Sequence, residues 1–138
     1  MRQAEQKLWD TTLRNKPVGI ALERVENGLG AGMPDVYSRA ETFHTWIELK
    51  APHAPKREST RLLGSEGLSQ EQINWHLKSA RYGLITYVLI RDIEHKRLWL
   101  VGGGWADEMN DWTAAELDKN SLANNWRDIF SRLKGIKL

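Results

Sequence analysis

Residues 84–91, LITYVLIR, form a nearly continuous apolar run between Gly83 and Asp92, interrupted by Thr86 and closed by Arg91. The run is far shorter than the ~20 residues of a membrane span. It is rich in β-branched and aromatic residues, which suit a pleated strand. A strand apolar at both odd and even positions must be covered on both faces. This stretch therefore predicts a central strand in a sheet with a layer on each side.

A second strand is predicted at residues 43–50, where the pattern alternates. Phe43, Thr45, Ile47 and Leu49 fall on one face, and His44, Trp46, Glu48 and Lys50 on the other, because strand side chains alternate with period two. The first set reads as core. The second ends in a carboxylate and an amine about 7 Å apart along the strand. Upstream stands Gly32-Met33-Pro34-Asp35, where Pro34 biases Met33 to extended geometry and fixes the entry to Asp35. If the chain brings Asp35 beside Glu48, two carboxylates and Lys50 converge at a strand end. Such a cluster suits a hard cation.

At 138 residues the chain is most simply one domain. A chain of this length buries roughly 70% of its unfolded surface. With no cysteine, a disulfide framework, a thiolate zinc site and a cysteine nucleophile are excluded. The polar start MRQAEQKLWD has no apolar h-region, and no stretch is long and apolar enough to span a membrane; a cytoplasmic setting, or a host cytoplasm for a viral protein, is expected. The net charge is +2 and the pI about 9.0, which is weak evidence for a polyanionic partner. The distribution says more. Lys50, Lys56, Arg57 and Arg61 lie close together, with Glu58 the one acid among them. Seven tryptophans leave some for the core and others free to stack on bases.

In chain order, residues 3–14 predict a helix with Leu8, Trp9 and Leu13 as its stripe and Glu5 in its first turn. Residues 19–26 predict a strand. The glycine-rich NGLGAG follows; its G-x-G-x-G spacing and the absence of a receiving helix exclude a dinucleotide fingerprint. Residues 35–38 start a short strand. Residues 51–67 read as an exposed, mobile loop. Ser69-x-x-Gln72 is a capping box opening a helix to Arg81, with Ile73, Leu77 and Ala80 as its stripe and Trp75 and His76 flanking. Residues 97–101 predict a strand after an Asp92–Lys96 turn. Thr113-x-x-Glu116 opens a short helix, and a last helix is expected over 122–133. The order is that of a mixed α/β sheet flanked by helices. The four histidines, His44, His53, His76 and His95, show no metal-ligand spacing and read as surface or satisfied residues.

Glu5 in a first helix, Gly32-Met33-Pro34-Asp35, Trp46-Ile47-Glu48-Leu49-Lys50 and Ser69-x-x-Gln72 before a glycine and a strand together resemble the PD-(D/E)XK nuclease superfamily, most closely its VRR-NUC branch of small phage-type endonucleases. The likeness covers residues 3 to about 91. It implies a restriction-endonuclease-like αβββαβ core over 3–101 within a single 1–138 domain, with C-terminal helices over 105–138 as an extension. By this resemblance Asp35 and Glu48 match the metal-binding carboxylates, with Glu5 and the Leu49 backbone carbonyl completing the set. Lys50 matches the catalytic lysine, and Gln72 the glutamine of the helix beside the active site. Glu23 and Glu26 are fallback ligands. The implied cofactor is Mg²⁺, with Mn²⁺ as substitute, and the implied substrate is DNA. Lys56, Arg57 and Arg61 would contact phosphates. Branched or junction DNA is the preferred substrate class, which would suit a homodimer. The alternatives are a catalytically inactive DNA-binding module of the same fold, and an interaction domain built on the tryptophan-rich tail.

Overall fold

The computed structural model describes residues 3–25 and 31–136. Gly28, Gly30 and Glu26, the last a fallback ligand, lie outside the described residues. Among these residues the order is α1 (Gln3–Asn15), β1 (Ile20–Arg24), β2 (Val36–Ala40), β3 (His44–Lys50), α2 (Gln70–Arg81), β4 (Tyr87–Asp92), β5 (Arg97–Gly102), α3 (Ala114–Asn120) and α4 (Trp126–Leu133). The expected αβββαβ order is the one observed. The five strands form one mixed sheet in the order β1-β2-β3-β4-β5. Only β3 and β4 pair in parallel, with Glu48 beside Val88 and Lys50 beside Ile90; the other pairs are antiparallel. The parallel pair requires a crossover, which α2 supplies.

The predicted two-sided strand is β4, and its alternation sorts the core. Tyr87 and Leu89 join Leu8, Val36, Ile47, Leu49, Leu100, Ile129 and Phe130 on the face covered by α1 and α4. Val88 and Ile90 join Leu62, Leu63, Trp99, Val101, Met109 and Leu117 on the face of α2 and α3. Each fully buried aliphatic side chain of this kind contributes about 1.5–3 kcal/mol.

Several local expectations are corrected. In α1 the buried row is Leu8 and Thr12, and Leu13 is exposed; the row runs i, i+4. In α2, Ala80 is exposed and His76 is wholly buried. The last helix starts at Trp126 rather than at 122. Leu122 and Ala123 instead hydrogen-bond to Leu100 of β5, and the Asn125 side chain caps the helix by accepting from the Asp128 N–H. The loop 51–67 is exposed only in part. Its second half is core: Leu62 and Leu63 are buried, the Leu62 N–H donates to the Trp112 carbonyl, and Asn110 receives the Leu68 N–H and donates back to its carbonyl. The C-terminal extension thus holds this loop in place and closes one face of the sheet. No helix among the described residues is long and apolar enough to cross a membrane.

Candidate active site

The β2–β3 register sets the centre of the site. Val36 stands opposite Ile47 and Tyr37 opposite Trp46, so the next rung puts Asp35 across from Glu48. Asp35 is held from both sides. Its carbonyl accepts the Val25 N–H at 2.8 Å, and its Oδ2 accepts the Leu49 N–H at 2.9 Å. The loop before it is wedged against α2. Gly32 has φ +81°, and a Cβ there would lie 2.2 Å from the Glu71 carbonyl oxygen and 2.8 Å from the Gln72 nitrogen. Only glycine permits both that dihedral and that approach. The packing brings the first turn of α2, with Gln72, beside the strand that carries Asp35.

Glu48 is 2% exposed. Its Oε1 is buried with no hydrogen-bond partner among the described residues. Burial pushes its carboxyl up to about 10, and the hydrogen bond and like charge of Asp35 add to the rise. Lys50 opposes the shift, and Glu5 adds to it through its charge. Two acids pressed together share a proton unless a cation replaces it. Lys50 is also largely buried, on the same face two residues on, and no ion pair to it occurs among the described residues.

Gln72 completes the capping box. Its Oε1 accepts the Ser69 N–H at 2.9 Å, while its own N–H donates to the Ser69 hydroxyl at 3.2 Å. Its carbonyl oxygen is therefore committed, and its amide nitrogen has no protein partner among the described residues.

The donors suit a hard divalent cation, which takes carboxylate and carbonyl oxygens: a carboxylate pair, an orphaned buried oxygen, and the Leu49 peptide between Glu48 and Lys50. The set is a pair rather than a cage. Among the described residues no three His, Cys, Asp or Glu side chains gather closely enough to hold a metal ion. Glu5 therefore bears on Glu48 by charge rather than as a third member of such a group. Glu23 sits on β1 with its side chain mostly exposed, in an ion pair with Arg39 at 3.5 Å.

The basic cluster divides. Lys56 and Arg57 are exposed on the loop that leaves β3 directly after Lys50. Arg61 is tied to Asp111 at 3.2 Å, with both side chains exposed. Sequence reasoning missed Asp92, which it read as a turn residue. Asp92 is buried and receives Arg97 at 2.7 Å and His95 at 3.0 Å, and Arg97 also holds Glu58 of the loop at 3.1 Å. The signal was the D-x-x-H-x-R spacing, which places both donors across the turn from the acid.

No family model matches the chain, and no curated protein matches it. Among solved structures, the chain is similar to the 1.6 Å resolution structure of Hjc from Archaeoglobus fulgidus, a Holliday junction resolvase from an archaeal hyperthermophile. The identity is 16% and the TM-score 0.48, over 73% of this chain and 75% of that one.

Proposed function

We propose that this chain is a metal-dependent endonuclease of the PD-(D/E)XK type, similar to the VRR-NUC branch, that hydrolyses DNA phosphodiester bonds. The observation that carries the reading is the opposed Asp35–Glu48 pair, with its orphaned oxygen, set beside a buried lysine. A purely structural pairing of the buried Glu48 with the partly buried Asp35 would raise the energy of the fold with nothing in return. A pair awaiting a cation explains the arrangement.

Asp35 and Glu48 would hold Mg²⁺, or Mn²⁺ in its place, with the Leu49 carbonyl as a supplementary oxygen and Glu5 adding negative charge nearby. When bound, the cation supplies positive charge that polarises a phosphoryl oxygen and lowers the pKa of a coordinated water. The chain's own residues do the rest. The Leu49 N–H holds the Asp35 carboxylate in place. The Lys50 ammonium, on the same face as Glu48, stabilises the negative charge that develops on the phosphoryl oxygens. The Gln72 amide nitrogen orients the attacking water or the phosphate without adding charge, since its carbonyl is occupied by the cap. Lys56 and Arg57, on the loop leaving the site, steer and hold the DNA backbone.

Within this reading the favoured substrate is branched DNA, such as a four-way junction, cut by a homodimer that presents two sites. The test is cleavage of labelled four-way junction, flap, duplex and single-stranded DNA with Mg²⁺, Mn²⁺ or EDTA, alongside Asp35→Ala. Metal-dependent cutting that disappears in the variant is the expected result. Full activity in Asp35→Ala would sink the assignment. Binding without cutting under any divalent ion would convert the reading to an inactive DNA-binding module.

A further inference from the structure

The face of β2 and β3 that carries the carboxylates continues below them as a graded surface. The rungs run Asp35 opposite Glu48, Tyr37 opposite Trp46 and Arg39 opposite His44. Alternate residues along each strand share a face, so the three rungs lie on one side of the sheet. They present acid, then aromatic, then cationic groups. The aromatic rung is continuous: the Tyr37 and Trp46 rings lie 4.9 Å apart at 39°, and Trp75 of α2 meets Trp46 edge-on at 6.4 Å. Both Tyr37 and Trp46 are only partly buried, and neither belongs to either core cluster.

Arg39 stands 5.6 Å over the Tyr37 ring. Its ion pair with Glu23 is solvent-exposed on both sides, at 53% and 62%, and so is weakly held and open to exchange for a phosphate. Successive rungs are about 7 Å apart along the strand, which is comparable to the step of an extended nucleic-acid strand.

We propose that Tyr37 and Trp46, backed by Trp75, form a stacking platform for an unpaired base next to the scissile phosphate, and that Arg39 and His44 receive the next phosphate along the strand. This rests on the nuclease reading and narrows its substrate: the strand entering the site is unstacked at the cut, as at a fork, flap or opened junction. The chemistry is general. Aromatic faces accept any base, and a guanidinium follows the backbone. A regular duplex keeps its bases stacked inside and offers the platform nothing.

The test uses the full chain in EDTA, where nothing is cut, with single-stranded DNA containing 2-aminopurine and with the same strand fully paired. The wild-type protein and Trp46→Phe should quench the unpaired base and hold the single strand. Trp46→Leu and Tyr37→Leu should each weaken single-strand binding by about tenfold, as loss of one stacked base predicts, and leave duplex binding within about twofold. Tyr37→Leu, at a partly exposed strand position, decides the matter if Trp46→Leu does not fold. Unchanged single-strand binding in the leucine variants overturns the platform, and so does an equal loss on both DNAs. A parallel Mg²⁺ cleavage assay separates the two readings. Asp35-dependent cutting with no leucine effect removes the platform and keeps the nuclease. Selective stacking without cutting removes the nuclease and keeps the platform.

Discussion

Glu48 and Asp92 are both buried carboxylates, at 2% and 0% exposure, and both sit near the C-terminal ends of the adjacent parallel strands β3 and β4. Their surroundings are opposite. For Asp92, burial alone would raise the pKa, but the hydrogen bonds of Arg97 and His95 and the charge of Arg97 overcome it and hold the carboxyl below its ordinary value. Glu48 has an orphaned oxygen and another acid across the ladder, and is pushed up to about 10. A buried acid whose oxygens are all occupied cements a fold. One left facing another acid, as Glu48 faces Asp35, keeps a strained carboxyl that on the proposed reading would serve a cation. The contrast separates structure from chemistry within a few residues of β-sheet.

That contrast can be attacked from both ends. The largest effect is expected at Glu48 and Lys50. Glu48→Ala should abolish cleavage, and Lys50→Ala should lower the single-turnover rate by at least about 100-fold, with the circular dichroism of both unchanged. Asp92→Ala should do the reverse. Leaving Arg97 half-buried without its main partner should cost about 3–5 kcal/mol in urea unfolding, while the cleavage rate per folded molecule stays within about twofold.

Acid should expose a third buried group. Burial lowers His76 from 6.5 to about 4, and its Nε2 has no partner among the described residues. The unfolded chain therefore takes up the proton first. The contribution of His76 is complete above about pH 6.5 and is lost as the pH falls toward 4, by up to about 3 kcal/mol. Urea titrations of wild type and His76→Gln across that window measure it, and the variant should show the smaller slope.

The smallest effect is also the sharpest. Because Glu48 is raised above its unfolded value, its burial costs more as the pH climbs from about 4.5. In EDTA at about pH 8, Glu48→Gln should melt a few degrees above wild type. With Mg²⁺ the order should close or reverse, since only the wild type gains from binding. A Glu48→Gln variant less stable than wild type in EDTA would mean that the carboxylate is satisfied in solution.

Much of this was legible before any coordinates. The apolar run at β4 announced a two-sided sheet, the alternation in β3 put Glu48 and Lys50 on one face, and Ser69 and Gln72 are the capping box that the spacing indicates. These signals are local, and each depends on residues within one element. What sequence reasoning missed depends on residues far apart. His76 is buried because Gly103, just past the end of β5, leaves room for it: a Cβ there would lie 2.0 Å from the Thr86 hydroxyl and 2.7 Å from His76 Nδ1. Helical periodicity cannot report an absent side chain 27 positions later. Leu62 and Leu63 read as loop because nothing local reveals Trp112 and Asn110 waiting to hold them. The site shows the same division. Glu48 and Lys50 share a face by the alternation of β3 alone, whereas the place of Asp35 opposite Glu48 and the aromatic rung below it become visible only when β2 is laid against β3.

The wedge of Gly32 against the first turn of α2 also sets an order of events. β3 and β4 are parallel, so they meet only after the whole α2 crossover has closed, and that closure carries the entropic cost of a long loop. Until then Gly32 has no helix to rest against and Gln72 is far from the carboxylates. On the proposed reading, the chemistry would depend on the part of the molecule that this crossover completes. An intermediate with only the β1–β2–β3 meander formed would carry both acids and the lysine without the helix that completes their surroundings, so competence to cut would arrive with the crossover and not before it.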